Sequence, residues 1–407
     1  MKVISPKSKE FEKLLYNNNI RKKRISRKVA DIIENVRARR DPAVLEYTRK
    51  FDKVKLTAKD LAVTEREINA SFKDLDSALI LAIKKAIDNV TRFYKRQYPK
   101  GLNMRNQDGR KVREKLVPLD RVGIYVPGGQ APLVSSVYMC AVPAIVAGVK
   151  EIVLVSPPDK SGHIDANILA VASMLKIKEI YKAGGAQGIA ALGLGTDTIS
   201  KVDKIVGPGN EYVTEAKKQL FGLTGIDLLA GPSEVVIVAG SKANPEYIIK
   251  DLQAQTEHHK GLGIVVTSSK TLLRQLRKNT IPGVHLILVK NFDDAVNVVN
   301  LIAPEHLEVM LRKSGRFVKR IRHAGAIFVG DYTPTAIGDY LAGPSHVLPT
   351  QRTARFFSGL SVCDFLKRIH IVTYSKKALV QDAEALEKIA GLENMKKHYE
   401  SVQIRIQ

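Results

Sequence analysis

The residues best suited to chemistry are an adjacent carboxylate and imidazole, Glu305 and His306, in the run Ala303-Pro304-Glu305-His306-Leu307-Glu308. Such a pair can move a proton and activate water near pH 7. Proline fits the first position of a helix, where its missing N–H costs nothing. The run therefore predicts a helix opening at Pro304, with both residues in the first turn. There the positive end of the helix dipole disfavours an imidazolium and keeps His306 neutral. The same residues also read as an ordinary amphipathic helix start with a solvated histidine. Taken alone they do not decide.

A second constellation has the makings of a metal site. Gln255 and His258 fall at i and i+3 in Asp251-Leu252-Gln253-Ala254-Gln255-Thr256-Glu257-His258, which reads as a helix, so both lie on one face and could share an ion. Asp339 and His346 sit in a loop containing Gly338, Gly343 and Pro344, and His398 lies on a terminal helical pattern. Nine histidines in 407 residues are unremarkable, so spacing alone leaves each open to a structural reading. The G-x-G-x-x-G dinucleotide fingerprint is absent: Gly193-Leu194-Gly195 is followed by Thr198 and Gly261-Leu262-Gly263 by Val266, where the third glycine would stand.

The elements that must position these residues alternate. Val122–Val126, Glu151–Val155, Glu179–Tyr181 and Lys204–Val206 read as strands of a parallel sheet. Gly-rich turns follow the first, third and fourth, at Pro127-Gly128-Gly129, Gly184-Gly185 and Gly207-Pro208-Gly209. That pattern places ligands at strand C-termini. A second α/β series runs through Glu234–Val238, Gly263–Thr267, His285–Val289 and Ala326–Gly330. The first hundred residues read as helical, with Val29, Ile32, Ile33 and Val36 forming one stripe, Asp41-Pro42 opening a helix, and a longer one from about Asp74 to Tyr94. From about Ile369 the chain offers one strand, to Tyr374, and a helical pattern from Lys377 to His398. That is too little for a core of its own. The expected fold is two incomplete Rossmann-like parallel α/β domains, 119–233 and 234–368. A helical region, 1–118, is expected to pack on the second of these, and 369–407 forms a small α+β tail domain.

Composition narrows the class. Two cysteines, Cys140 and Cys363, exclude a disulfide framework and a cysteine-based zinc site, and fit a reducing compartment. The N-terminus lacks an apolar signal region, and the most apolar stretch, 131–149, is interrupted by Pro132, Ser135, Ser136 and Pro143. A cytoplasmic protein without a membrane span is expected. The net charge of +24 and the run Arg21-Lys22-Lys23-Arg24 raise nucleic acid as a partner. The remaining basic residues are spread thinly and no nucleic-acid-binding motif accompanies them, so a solvated basic surface is the favoured reading.

Eight strings bind these observations together: GIYVPGG (123–129), GGAQGIAAL (184–192), KIVGPGN (204–210), DLLAGPSE (227–234), QAQTEH (253–258), APEHLE (303–308), GDYLAGPSHVLPT (338–350) and ARFFSGLSVCDF (354–365). Their order and approximate spacing resemble the histidinol dehydrogenase family, from about residue 25 to the C-terminus. The resemblance implies a four-electron oxidation of L-histidinol to L-histidine with two NAD, late in histidine biosynthesis. It implies Glu305 and His306 as the catalytic pair. It further implies Gln255, His258, Asp339 and His398 as ligands of one Zn2+ per subunit. Ser233, His346 and Glu393 match substrate-contacting positions, alongside those ligands and His306, and Tyr125, Gln187 and Asn210 match positions lining the NAD site. Family members are homodimers whose active sites are completed by the partner's C-terminal domain, which would explain the small tail. Gln130, Asn394 and Lys397 depart from the family's usual small hydroxyl residue, glycine and alanine. The nearest alternative is a related NAD-dependent dehydrogenase of another small alcohol. Glu393, Asp339 and His346 favour a cationic imidazole-bearing substrate, since an anionic one would call for arginine. A basic nucleic-acid-binding protein without catalysis is the third reading, and the intact Glu305, His306, His258 and Asp339 weigh against it.

Overall fold

The computed structural model describes all residues except 16–18, 74, 129–131 and 259, and the side chains of 19–22 are likewise left aside. The described chain opens with β1 (Lys2–Ile4) and the helices α1 (Lys9–Leu15), α2 (Asn19–Arg39), α3 (Asp41–Phe51), α4 (Ala58–Leu61), α5 (Glu65–Ala70) and α6 (Ser77–Gln97). A hairpin follows, β2 (Asn103–Arg105) and β3 (Lys111–Pro118).

The first parallel sheet is then laid down as β4 (Arg121–Tyr125), α7 (Val134–Ala147), β5 (Glu151–Ser156), α8 (Ala166–Met174), β6 (Glu179–Lys182), α9 (Gly185–Leu194), β7 (Lys204–Val206), α10 (Glu211–Leu220) and β8 (Gly225–Ile226). Its spatial order is β6-β5-β4-β7-β8. The second sheet contains β9 (Glu234–Ala239), α11 (Pro245–Glu257), β10 (Leu262–Thr267), α12 (Lys270–Arg277), β11 (Val284–Leu288), α13 (Phe292–Ile302), β12 (His306–Met310), α14 (Ser314–Val318), β13 (Ala326–Val329) and α15 (Thr335–Tyr340). Its order is β1-β11-β10-β9-β12-β13. Each sheet thus carries the doubly wound order 3-2-1-4-5 and lacks the sixth strand of a complete Rossmann sheet. The second gains β1 at its outer edge.

The stripe Val29, Ile32, Ile33 and Val36 is buried, against α9 and α10 of the first sheet. Each such side chain stabilises the fold by roughly 1.5–3 kcal/mol. This corrects the expected packing of the N-terminal region. Helices α2, α3, α5 and α6 cover the first α/β unit, and only β1 and α1, through Ile4 and Phe11, join the core of the second. Lys23, Arg24, Arg27 and Lys28 lie on the outer face of α2; Arg21 and Lys22 fall outside the described side chains. The helix expected from Asp74 starts at Ser77, and Asp74 itself is outside the described residues.

The tail consists of β14 (Leu366–Thr373), α16 (Lys376–Leu392) and α17 (Lys396–Ile406). It forms two helices where one pattern was expected. The break is a corner at which Asn394 takes φ +57°. Strand β14 pairs antiparallel with β3, and the Arg110–Asp382 ion pair and the Ser375 hydroxyl bonded to the Asp108 carbonyl hold the tail on the hairpin. No described helix is long and apolar enough to cross a membrane.

Candidate active site

The expected helix at Pro304 is a strand. Helix α13 ends at Ile302, Ala303 turns the chain out at φ +50°, and Pro304 follows as a helix terminator, not an opener. Residues His306–Met310 form β12, between β9 and β13 and buried throughout. The helix-dipole account of His306 therefore fails. His306 lies at the amino end of its strand, opposite Val235 in β9.

This amino edge of the second sheet gathers most of the predicted residues. The Glu305 carboxylate accepts from the Ser233 hydroxyl at 2.6 Å and from the Glu234 N–H at 2.9 Å. Burial pushes its pKa up to about 8, with Asp339 adding to the rise and the two hydrogen bonds opposing it. Burial pulls His306 down to about 4, so its ring is neutral at pH 7. Its Nδ1 lies 3.6 Å from Glu305 and its Nε2 3.9 Å from Asp339.

Chain direction explains how helices reach this edge. A helix returning from the carboxyl end of one parallel strand delivers its own C-terminus to the amino edge. Helix α11 does so with Gln255 and His258, and α15 with Asp339. His258 is the residue after α11, with extended backbone, so the expected i, i+3 helical face does not form; the chain turns out to present it. Asp339 belongs to a short helix, where a loop was expected. Gln255 is 4% exposed and its amide nitrogen has no partner. His258 lies close enough to His306, Asp339 and His346 to bear on their charge. His346 donates from Nδ1 to the Asp339 carbonyl at 3.0 Å, and its Nε2 lies 3.4 Å from the Ser136 hydroxyl. Desolvation holds it near pKa 4.

His398 and Glu393 are not brought here. Both are exposed on the tail, at α17 and at the α16–α17 corner. Among the described residues, no three His, Cys, Asp or Glu side chains of this single chain form a metal-binding group. The donors that do gather, an amide, an imidazole and a carboxylate, suit zinc or a similar divalent ion with a further ligand still to be supplied. In that set Gln255 would ligate through its amide oxygen, since its unpartnered amide nitrogen is a donor and cannot bind a cation.

The candidate cofactor residues occupy the carboxyl edge of the first sheet. Tyr125 ends β4, is buried, and accepts the Gly185 N–H on its hydroxyl at 3.1 Å. Gln187, in the first turn of α9, is 1% exposed with both amide atoms unpartnered. Such a residue suits a ligand's polar groups. Asn210 caps α10, its carbonyl accepting from the N–H groups of Tyr212 and Val213. Gly207, at φ +114°, has no room for a Cβ, which would sit 2.2 Å from the Tyr125 carbonyl. Gly129 and Gln130 lie outside the described residues. Ser136, on α7 at this edge, and His346, at the other, join the two edges.

Two buried acids, Glu234 and Glu308, and the half-buried Asp251 were not anticipated. Glu234 accepts from the Gln351 N–H, and burial beside Glu305 raises it to about 8. Glu308 and Asp251 face each other across β12 and α11. The alternation His-Leu-Glu-Val-Met was their sequence signal, since it puts residues 306 and 308 on one face of a strand.

The histidinol dehydrogenase family model matches residues 16–406. Curated histidinol dehydrogenases from Geobacillus kaustophilus and Halalkalibacterium halodurans are 45% and 43% identical over 399 and 397 residues, covering 94% and 93% of this chain and the same shares of their own. The crystal structure of histidinol dehydrogenase from Elizabethkingia anophelis superposes with a TM-score of 0.92 at 34% identity, over 100% of this chain and 98% of its own. An acetylating aldehyde dehydrogenase from Geobacillus thermoglucosidasius, 13% identical with a TM-score of 0.51 over 88% of this chain and 99% of its own, shares only the fold. With its buried Glu–His pair set on two incomplete Rossmann-like sheets, this chain is an enzyme that belongs to the histidinol dehydrogenase family.

Proposed function

We propose that the chain oxidises L-histidinol to L-histidine through histidinal in the cytoplasm, closing histidine biosynthesis, with two NAD per turnover and one zinc per subunit of a homodimer. Residues 119–233 act as the cofactor domain and 234–368 carry the catalytic pair and most metal ligands. The observation that carries this reading is the gathering of Glu305, His306, Gln255, His258 and Asp339 at one edge, joined through Ser136 and His346 to the cofactor edge.

Bound there, NAD would accept the two hydrides, and zinc would hold the substrate imidazole and amine in place. Gln255, His258 and Asp339 would hold the metal with His398 of the partner subunit. His306, neutral at pH 7, takes the hydroxyl proton as the alcohol carbon gives up hydride. Glu305, in its ionised form, takes a proton from water as the water oxygen adds to the aldehyde carbon; the resulting hydrate loses the second hydride and becomes the carboxylate. Ser233 holds the Glu305 carboxylate in place for that step. His346 lines the substrate site with Glu393 of the partner subunit, whose carboxylate suits a cationic amine.

Exposed apolar residues on the tail, Val372, Ile389, Leu392 and Ile404 at 60–85% exposure, support a homodimer that covers them. The test is NAD reduction with L-histidinol, with and without a chelator. Reduction abolished by the chelator and restored by zinc is expected. No reduction at all would overturn the assignment, and chelator-insensitive reduction would remove the metal.

A further inference from the structure

Three elements meet over β12, and their repeats match. Along a strand, residues two apart share a face and are separated by roughly 6.6 Å. Along a helix, residues four apart share a face and are separated by roughly 6 Å. On β12 the two rungs facing α11 are His306 and Glu308, whose register partners in β9, Val235 and Ile237, belong to the core cluster that α11 covers. On α11 the residues four apart are Asp251 and Gln255; on α15 they are Thr335 and Asp339. Thr335 donates to Glu308 from its N–H at 2.8 Å and its hydroxyl at 2.6 Å, while Asp339 stands beside His306. Asp251 stands beside Glu308, close enough for the two carboxyls to bear on each other's charge, which leaves Gln255, one turn on, over the His306 rung. Both helices therefore rest on the Glu308 rung at one end and present a metal-ligand candidate at the other.

Glu308 is 1% exposed. Its Oε1 takes both Thr335 bonds, and no N–H or O–H reaches its Oε2. What faces that side is the Asp251 carboxyl, and two carboxyls bond only through a proton held on one of them. The neighbouring strands present no charge to the pair: Ile237 lies opposite Glu308 in β9 and Phe328 in β13.

We propose that Glu308, sharing a proton with Asp251 and capping Thr335, is the positioning residue that holds Gln255 and Asp339 at the span a single divalent ion needs. The inference rests on the zinc reading above. Burial raises both carboxyls, and the neighbouring Asp251 raises Glu308 further, so the shared proton is kept at low pH and lost as pH rises. Ionisation of both would drive α11 and α15 apart.

The measurement is the zinc dissociation constant of the full chain, by competition with a chromophoric chelator from pH 6 to 9. Melting of the metal-free protein reports folding. Glu308→Leu should weaken zinc by about 10–100-fold. Glu308→Gln can donate to Asp251 and accept from Thr335 without a shared proton. It should bind within about threefold of wild type at pH 7 and lack the wild type's extra loss of affinity at high pH. Should Glu308→Leu fail to fold, Asp251→Asn decides, because it too keeps the bond and should flatten the pH profile. A folded Glu308→Leu with wild-type affinity, or wild-type pH profiles in both amide variants, would overturn the positioning role and leave the enzyme assignment standing. A wild-type chain that binds no zinc would overturn the metal reading, and this inference with it.

Discussion

Glu305 and His306 share one buried edge, and burial moves their pKa values in opposite directions because it disfavours whichever form is charged. Both are neutral at pH 7 in the metal-free protein, and this has a consequence for stability. Glu305 and Glu234 are raised to about 8, so the folded chain keeps protons that the unfolded chain has released, and stability falls as pH rises toward 8. His306 and His346 are lowered to about 4 and act oppositely, but only between about 4 and their ordinary value of 6.5. Above pH 6.5 the carboxyls alone remain. Urea unfolding in chelator should therefore show roughly 1–3 kcal/mol lost between pH 6.5 and 8, with Glu305→Gln removing part of the slope. A flat profile there would contradict the burial account. In the proposed mechanism the same residues divide the chemistry. Glu305→Gln should slow histidinal oxidation by about 100-fold or more while costing histidinol oxidation to histidinal under about tenfold. His306→Asn should impair the alcohol step at least as strongly as Glu305→Gln impairs the aldehyde step. Equal losses on both substrates for Glu305→Gln would refute the division.

At the scale of elements, the α16–α17 corner is a direct test of backbone chemistry. Asn394 has a φ of +57°, the left-handed conformation that glycine and asparagine adopt most readily. Asn394→Gly should leave the melting temperature almost unchanged, whereas Asn394→Val should cost about 1–2 kcal/mol. A valine variant as stable as the glycine variant would refute that conformation. Most strands were legible in the sequence because buried parallel strands read as short apolar runs between glycine turns. Strand β12 was not. Its polar residues, His306 and Glu308, point into the protein at a functional edge, so the pattern mimicked the solvent face of a helix. Pro304, which ends one element, also has the sequence signature of a residue opening another. The hairpin β2–β3 escaped as well, since Lys111, Arg113 and Lys115 alternate on an exposed face. Glu305, His306 and the candidate cofactor residues stood in readable motifs, whereas the Asp251–Glu308 contact depends on helix and strand repeats that only the assembled layers bring together.

At the scale of the whole molecule, the carboxyl edge of one sheet meets the amino edge of the other, and the tail lies away from both. If each tail completes its partner's site, a His398→Ala chain and a His258→Ala chain, each inactive alone, should restore one another when mixed. Random exchange makes about half of the dimers mixed, each with one intact site, so about a quarter of wild-type activity should return. Mixed dimers confirmed by mass with no activity would assign His398 to its own chain.

Strand β1 has a consequence in time. Lys2, Val3 and Ile4 pair with His285, Leu286 and Ile287, and the terminal amine bonds the Asn279 carbonyl. This strand must therefore wait for a partner made some 280 residues later, on the order of 15–60 s at ordinary rates of synthesis. During that wait the first sheet, with its covering helices, can fold whole while the opening strand stays unsheltered. The edge of the second sheet is then a seam closed between stretches of chain made far apart in time.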